Sequence, residues 1–287
     1  MEIAINNFTL SGYGDRMLDL LCMISYARIK GKTLYIRWQD FPGMEDYHDI
    51  PSWRFEDTKL SNFLKFFSLP TGVTLDYPLK QSAGYIENNY LGGMYSPRKF
   101  YDWIITRENP QLSRDLWDKT VNEVRSELRF KVSDYVPETP YVVIHLRRTD
   151  KLRGVCETQI VQAELQDLNE KTKEAIVKSI ELGYTDFYIA TDDPSSKEEY
   201  IKFLHEHGCT VITPPNVHSL LSSYYDTWMM KSSSLIIASM RYSTFSLFPA
   251  LWWGIPLWTV FPDSQHFEHL FNLSTSIQYY KNVQLGN

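Results

Sequence analysis

Short runs of β-branched residues and longer stretches with apolar side chains every three or four positions follow one another along this chain. That rhythm predicts an α/β fold, because a strand paired in parallel with its neighbour needs a crossover to reach it, and the crossover is usually helical. In the first half Glu2 to Leu10 reads as a strand. Arg16 to Lys30 reads as a helix carrying Leu18, Leu21, Cys22, Ser25 and Ile29 at helical spacing, and Thr33 to Trp38 as the next strand. Gly31 stands where a helix end favours a residue that tolerates positive φ. From about residue 40 to 110 Pro, Gly and Tyr are scattered and the pattern is less regular. Asp115 to Arg129 reads as a helix.

Val132 to Pro140 has the composition of a linker, and beyond it the alternation is clear. Strands are expected at Tyr141 to His145, Asp186 to Ala190, Cys209 to Thr213, Ser234 to Ala238 and Ile255 to Val260. Helices are expected at Gln159 to Leu182, from Ser195 to about His207, at Ser219 to Lys231 and at Thr244 to Trp253. Ser195-Ser196-Lys197-Glu198 has capping-box spacing. The expected architecture is two Rossmann-like lobes, residues 1–136 and 137–287, facing a cleft where a ligand is usually found.

Composition narrows the function. The 287 residues are 43% hydrophobic and 22% charged, ordinary values for a globular chain, with a net charge of −6 that argues against a nucleic-acid partner. Positive charge that matters must therefore be local. Cys22, Cys156 and Cys209 are widely spaced and form no metal or disulfide framework. Met1 to Asn6 lacks a signal-peptide pattern, and no run approaches the ~20 apolar residues of a membrane span, so a soluble cytoplasmic protein is expected, in a bacterial or viral setting. Aromatic residues make up 15% of the chain; such rings stack on sugars, but most of them fill cores.

The most informative segment is Val142-Val143-Ile144-His145-Leu146-Arg147-Arg148-Thr149-Asp150. A buried strand delivers two adjacent arginines to a carboxyl edge, the edge at which open α/β sheets bind ligands. Guanidinium forks suit bidentate contact with phosphate oxygens. Two readings stand on these residues alone: a phosphate site, or a surface Arg pair bridging to acidic neighbours. Thr191-Asp192-Asp193-Pro194 reads as a turn; it is not a metal motif, and no Asp-x-Asp occurs anywhere. Ser243, Thr244 and Ser246 stand where a strand feeds a helix. They serve either as phosphate ligands beside free helix N–H groups or as a simple N-cap. Gly12-Tyr13-Gly14-Asp15 is a Gly-rich turn after the first strand, with Arg16 next to it. The third glycine of a dinucleotide-binding fingerprint is missing, since position 17 is Met, and no P-loop occurs.

His-x-Arg-Arg-x-Asp after a hydrophobic strand resembles the first signature of the α1,2-, α1,6- and protein O-fucosyltransferase superfamily. Phe187 to Ser195 is similar to its second signature and Ser243-Thr244-Phe245-Ser246 to its third, in the family's order; Gly12-Tyr13-Gly14-Asp15 resembles the family's N-terminal loop more weakly. The resemblance implies a GT-B-like fold, with the first lobe on the acceptor side and the second binding a nucleotide sugar. It implies that Arg147 binds the β-phosphate, that Arg148 contacts the phosphate or holds the loop, and that His145 and Asp192, with Asp193 beside it, meet the base. Gly12, Gly14, Arg16, Ser243, Thr244, Phe245 and Ser246 would complete the donor site. For the general base, Glu157, Asp150 and Asp15 compete, and Glu157 stands two residues further from His145 than the family's spacing. The implied donor is a GDP-sugar, fucose by default, alternatively a UDP-sugar such as UDP-xylose; the implied acceptor is a glycan, and no metal or other cofactor is implied. From a different class, the chain could be a non-catalytic nucleotide-sugar or glycan-binding module.

Overall fold

A computed structural model describes residues 3–7, 13–38, 59–75, 97–131, 137–148, 162–213, 222–239, 243–261 and 277–284. The described residues up to Lys131 form one compact unit and those from Pro137 onward a second. The break expected at 136/137 borders residues 132–136, which lie outside the described residues.

In the first unit a parallel sheet has the order β1 (Ile3–Asn7), β2 (Leu34–Trp38), β4 (Val73–Leu75), with Ile3 opposite Leu34 and Leu34 opposite Val73. Helix α1 runs over Tyr13–Ile29 and so starts three residues before the expected Arg16. Gly14 is therefore a buried helical residue and not part of a turn. Met17, Leu18, Leu20, Leu21, Cys22, Met23 and Ile24 are all buried, so α1 is enclosed around its circumference, with Arg16, Asp19 and Ser25 buried among them. It packs against α3 (Pro97–Arg107) and α4 (Arg114–Glu127). There Phe100 stacks on Trp117 at 5.7 Å.

The stretch expected to be irregular holds α3 and three shorter elements: α2 (Leu60–Phe66), β3 (Phe67–Ser68) and β4. The helix expected to reach Arg129 stops at Glu127, because Arg129–Phe130 (β5) pairs antiparallel with β3 and the Phe130 ring meets Phe67 edge-on at 4.6 Å. The C-terminal ends of α1 and α4 are joined by a bidentate pair, Arg28 Nη1 to Glu127 Oε1 at 2.6 Å and Nη2 to Oε2. Thr71 donates to the same carboxylate through its N–H and hydroxyl.

The second unit is a six-stranded parallel sheet built from β6 (Tyr141–Leu146), β7 (Asp186–Thr191), β8 (Thr210–Val211), β9 (Leu235–Ala238), β10 (Leu257–Thr259) and β11 (Ile277–Tyr279). Its order is β11-β10-β9-β6-β7-β8. All six residues of β6 are buried, as a central strand covered on both faces requires. Val142, Ile144 and Leu146 pack with α5 (Gln162–Glu181) and α6 (Pro194–Glu206) through Leu168, Ile176, Tyr200 and Leu204. The opposite face meets α7 (Ser222–Ser232) and α8 (Thr244–Trp253). Tyr141 donates to Met229 O at 2.7 Å, and Tyr188 donates to Asp226 Oδ1 at 2.6 Å.

Two local details differ from expectation or complete it. Helix α6 is capped by Asp193 and not by the Ser195–Glu198 box: the Asp193 carboxylate accepts from Ser195 N–H and Ser196 N–H, both at 3.2 Å, and Pro194 supplies the preset first helical φ. Helix α8 ends at Gly254, whose φ of 72° suits glycine and whose N–H returns to Ala250 O at 3.0 Å. Among the described residues no helix is long and apolar enough to cross a membrane.

The Arg28 hydrogen bonds hold the Glu127 carboxyl below its usual range, against the opposing effect of burial. A depressed folded pKa contributes stability that is complete above the ordinary carboxylate value and is lost as pH falls through the folded one. Glu127→Gln should therefore lower stability by about 1 kcal/mol at neutral pH. Denaturant titrations at pH 7 and pH 3 check this: the gap to wild type should shrink at the acid end.

Candidate active site

Numbering the strands of the second unit from β6 as first to β11 as sixth, their spatial order reads 3-2-1-4-5-6. The chain leaves β6 toward β7 on one side, while β9 and its successors build outward on the other. In chain order β6 continues to β7 and β9 to β10, on opposite sides, and such a switch point is where open α/β sheets bind ligands. Parallel register brings three strand ends level there. Leu146 lies opposite Thr191, and His145 lies opposite both Ala190 and Ala238. Just past these positions come Arg147 and Arg148, Asp192 and Asp193, and Ser239.

The two arginines have different surroundings. Arg148 is 1% exposed, and its fork is filled by neighbours. Nη1 donates to Ser239 O at 3.1 Å; Nη2 donates to Ser239 Oγ and to Asn169 Oδ1, each at 2.9 Å. Its backbone N–H donates to Asp192 Oδ1 at 2.8 Å. Tyr200 OH donates to the same Asn169 oxygen at 3.2 Å, and a hydroxyl–hydroxyl bond of 2.7 Å joins Thr172 to Ser239. Burial draws the Arg148 pKa below its ordinary value, opposed by Tyr200, Asp192 and Asp193. Arg147 is half-buried.

His145 is 5% exposed, and its ring lies 5.4 Å from that of Phe245 in the first turn of α8. Ser243 is the N-cap of α8, but its side chain makes no cap hydrogen bond. Its buried Oγ finds no hydrogen-bond partner among the described residues. A helix start without a side-chain cap leaves N–H groups able to receive an anion, and the helix dipole favours negative charge there. Thr244 and Ser246 are buried beside it, and Ser246 Oγ donates to Ser243 O at 3.3 Å.

The structure thus brings together His145, Arg147, Arg148, Asp192, Asp193, Ser243, Thr244, Phe245 and Ser246 around the carboxyl edge of one sheet. The Asp193 carboxylate is engaged as the α6 cap, also accepting from the Ser195 and Ser196 hydroxyls at 2.8 and 2.5 Å. Burial raises its pKa, but those hydrogen bonds outweigh it and hold the group below the usual range. Gly14, Asp15 and Arg16 lie in the first turn of α1 in the first unit, where Arg16 is fully buried. Gly12, Asp150 and Glu157 lie outside the described residues. Asn169, Thr172, Tyr200 and Ser239 escaped the sequence reading. Ser239 carried one usable signal, as the first polar residue after the apolar run Leu235–Ala238; the other three carried none. Among the described residues no group of three or more His, Cys, Asp or Glu side chains is placed to hold a metal ion.

No family model matches the chain, and no curated protein matches it in sequence. In fold it is similar to the fucosyltransferase NodZ from Bradyrhizobium, at 14% identity and a TM-score of 0.56 over 88% of this chain and 92% of that one. Crystals of the NodZ α-1,6-fucosyltransferase grown with GDP give a TM-score of 0.54 at 14% identity, again over 88% and 92% of the two chains. Crystals soaked with GDP-fucose give 0.53 at 13% identity, over 87% and 92%. The mixed α/β fold of this chain is the one found in that enzyme.

The engaged Asp193 makes a simple expectation. Asp193→Ala should destabilise the protein by about 1 kcal/mol, while Asp193→Asn, which keeps a capping oxygen, should lose only a fraction of that. Urea unfolding of the two variants measures the difference.

Proposed function

We propose that the chain is an inverting glycosyltransferase of the fucosyltransferase type, moving a sugar from a nucleoside-diphosphate donor to a glycan hydroxyl without a metal. The observation that carries this reading is the meeting, at the β6/β9 switch point, of the strand end bearing Arg147 with the α8 start, where the Ser243 hydroxyl has no hydrogen-bond partner among the described residues. In sugar transfer the bond between the anomeric carbon and the β-phosphate oxygen breaks as the acceptor oxygen forms its bond on the opposite side. The departing diphosphate gains negative charge during that step. A fixed guanidinium and oriented N–H dipoles stabilise it without reorganising, which is where such sites derive most of their rate. A permanent cation supplied by arginine does the work that an Asp-x-Asp site gives to a metal in other transferases.

His145 and Asp192 are assigned to the base and Arg147 to the β-phosphate, with Ser243, Thr244 and Ser246 around the phosphates. The acceptor proton passes to a carboxylate among Glu157, Asp150 and Asp15, and the first unit takes the acceptor side. GDP-fucose is the preferred donor, in keeping with the ligands named for the NodZ crystals of similar fold. A UDP-sugar is the rival within the class.

Arg147→Ala should leave the circular dichroism spectrum unchanged and lower the transfer rate by about 10²–10³-fold, equivalent to about 2–4 kcal/mol of lost transition-state stabilisation. A binding module would show only weaker nucleotide affinity and no turnover in the wild type. Calorimetric titration with GDP against UDP tests the donor; equal or absent binding of both would sink the assignment.

A further inference from the structure

We propose that Arg148 is a positioning residue, which Ser239 and Asn169 hold so that the strand end carrying Arg147 is fixed against Asp192 and the end of β9. The inference rests on reading this edge as the donor site, and it divides the work of the Arg pair: Arg147 takes the diphosphate, Arg148 the scaffold. Three observations support it.

First, both terminal nitrogens of Arg148 donate to protein acceptors, to a backbone carbonyl, a hydroxyl and an amide oxygen. Second, those acceptors are themselves engaged from behind, Ser239 by Thr172 and Asn169 by Tyr200, so the clamp reaches into α5 and α6 and does not end at a loose side chain. Third, the residue's own N–H is tied to Asp192 at the end of β7. One side chain and its peptide therefore join the ends of β6, β7 and β9 to α5. Side chains alternate along an extended chain. Arg148 continues the parity of Val142, Ile144 and Leu146, which face α5 and α6, whereas Arg147 has the parity of His145, whose ring meets Phe245.

Ser239 and Asn169 are then positioning residues as well, acting through Arg148 without touching donor. The prediction separates geometry from binding. In the full-length protein Ser239→Ala and Asn169→Leu should each lower kcat by about ten- to hundredfold, the loss expected when a charged group shifts by a fraction of an ångström to 1 Å. The Kd for GDP should stay within about threefold of wild type, since no phosphate ligand is removed, and Asn169→Asp, which restores an acceptor oxygen, should recover most of the loss. Arg148→Gln combined with Asn169→Leu should be no worse than Arg148→Gln alone, because members of one network are not additive.

The proposal is overturned if Arg148→Gln weakens GDP binding by about tenfold or more while Ser239→Ala and Asn169→Leu leave kcat unchanged, the pattern of a direct phosphate ligand. It is equally overturned if the losses in the double variant simply add. Should Asn169→Leu fold poorly, the comparison of Ser239→Ala with Asn169→Asp carries the same test. A wild-type protein that binds no GDP would instead overturn the donor-site reading, and the positioning role with it.

Discussion

A guanidinium enclosed among protein atoms is tolerated only where every direction of its charge meets an acceptor, since desolvating it costs several kcal/mol otherwise. Arg148 approaches that condition through its two terminal nitrogens, which meet three acceptors at the place in the second unit where the sheet most needs a tie. At a switch point two neighbouring parallel strands send the chain away in opposite directions, so chain order does not join their carboxyl ends. Backbone hydrogen bonds hold the strands together up to His145 and Ala238, and Ser239 N–H adds a last one to His145 O at 3.0 Å. Beyond that the Arg148 fork takes over. It reaches residues 21 and 91 positions away in sequence, and the residue's backbone N–H reaches Asp192, 44 positions away.

Fixing that edge lets an acidic protein hold a local positive field. The chain carries a net charge of −6, so under the proposed function long-range attraction of a diphosphate is unfavourable and affinity must come from groups within a few ångströms. Two sources converge here: the arginine pair and the start of α8. That helix is buried along nearly its whole length, from Thr244 to Trp252, and closes on a left-handed Gly254, which makes it a rigid support for its own first turn. A rigid first turn keeps its N–H groups aimed, and preorganised dipoles lose nothing to reorientation when charge develops.

Much of this was legible in the residues. The run Tyr141 to Leu146 had to be a central strand because nothing in it is suited to water except His145, and the turn-like breaks after each later strand placed the candidate groups at one sheet edge. What escaped has physical causes. The short elements α2, β3 and β4 carry too few residues for a period to emerge, and the aromatic contacts that hold them, Phe63 on Phe67 at 5.1 Å and Phe67 on Phe130, are tertiary. The α6 cap went to Asp193 because a carboxylate directly before Pro outcompetes a hydroxyl two residues later, a competition that spacing rules alone do not rank. Asn169 and Thr172 sit on a helix whose amphipathic pattern accommodates a polar residue at its margin; only the fold shows that this margin meets an arginine from β6.

The order of residues at the end of β6 is then a constraint of its own. Because side chains alternate, moving the pair by one position would exchange the faces of the two guanidinium groups: the one now clamped among Asn169 and Ser239 would join the side of His145 and Phe245, and its neighbour would enter the α5 face. A second arginine is therefore not a spare charge for the first. The fold tolerates wide sequence change, in keeping with its likeness to NodZ at 14% identity, because burial asks mainly for volume and pattern. The strand end asks for more: a particular parity, a fork engaged behind it, and, under the proposed function, a second guanidinium on the side of the α8 start.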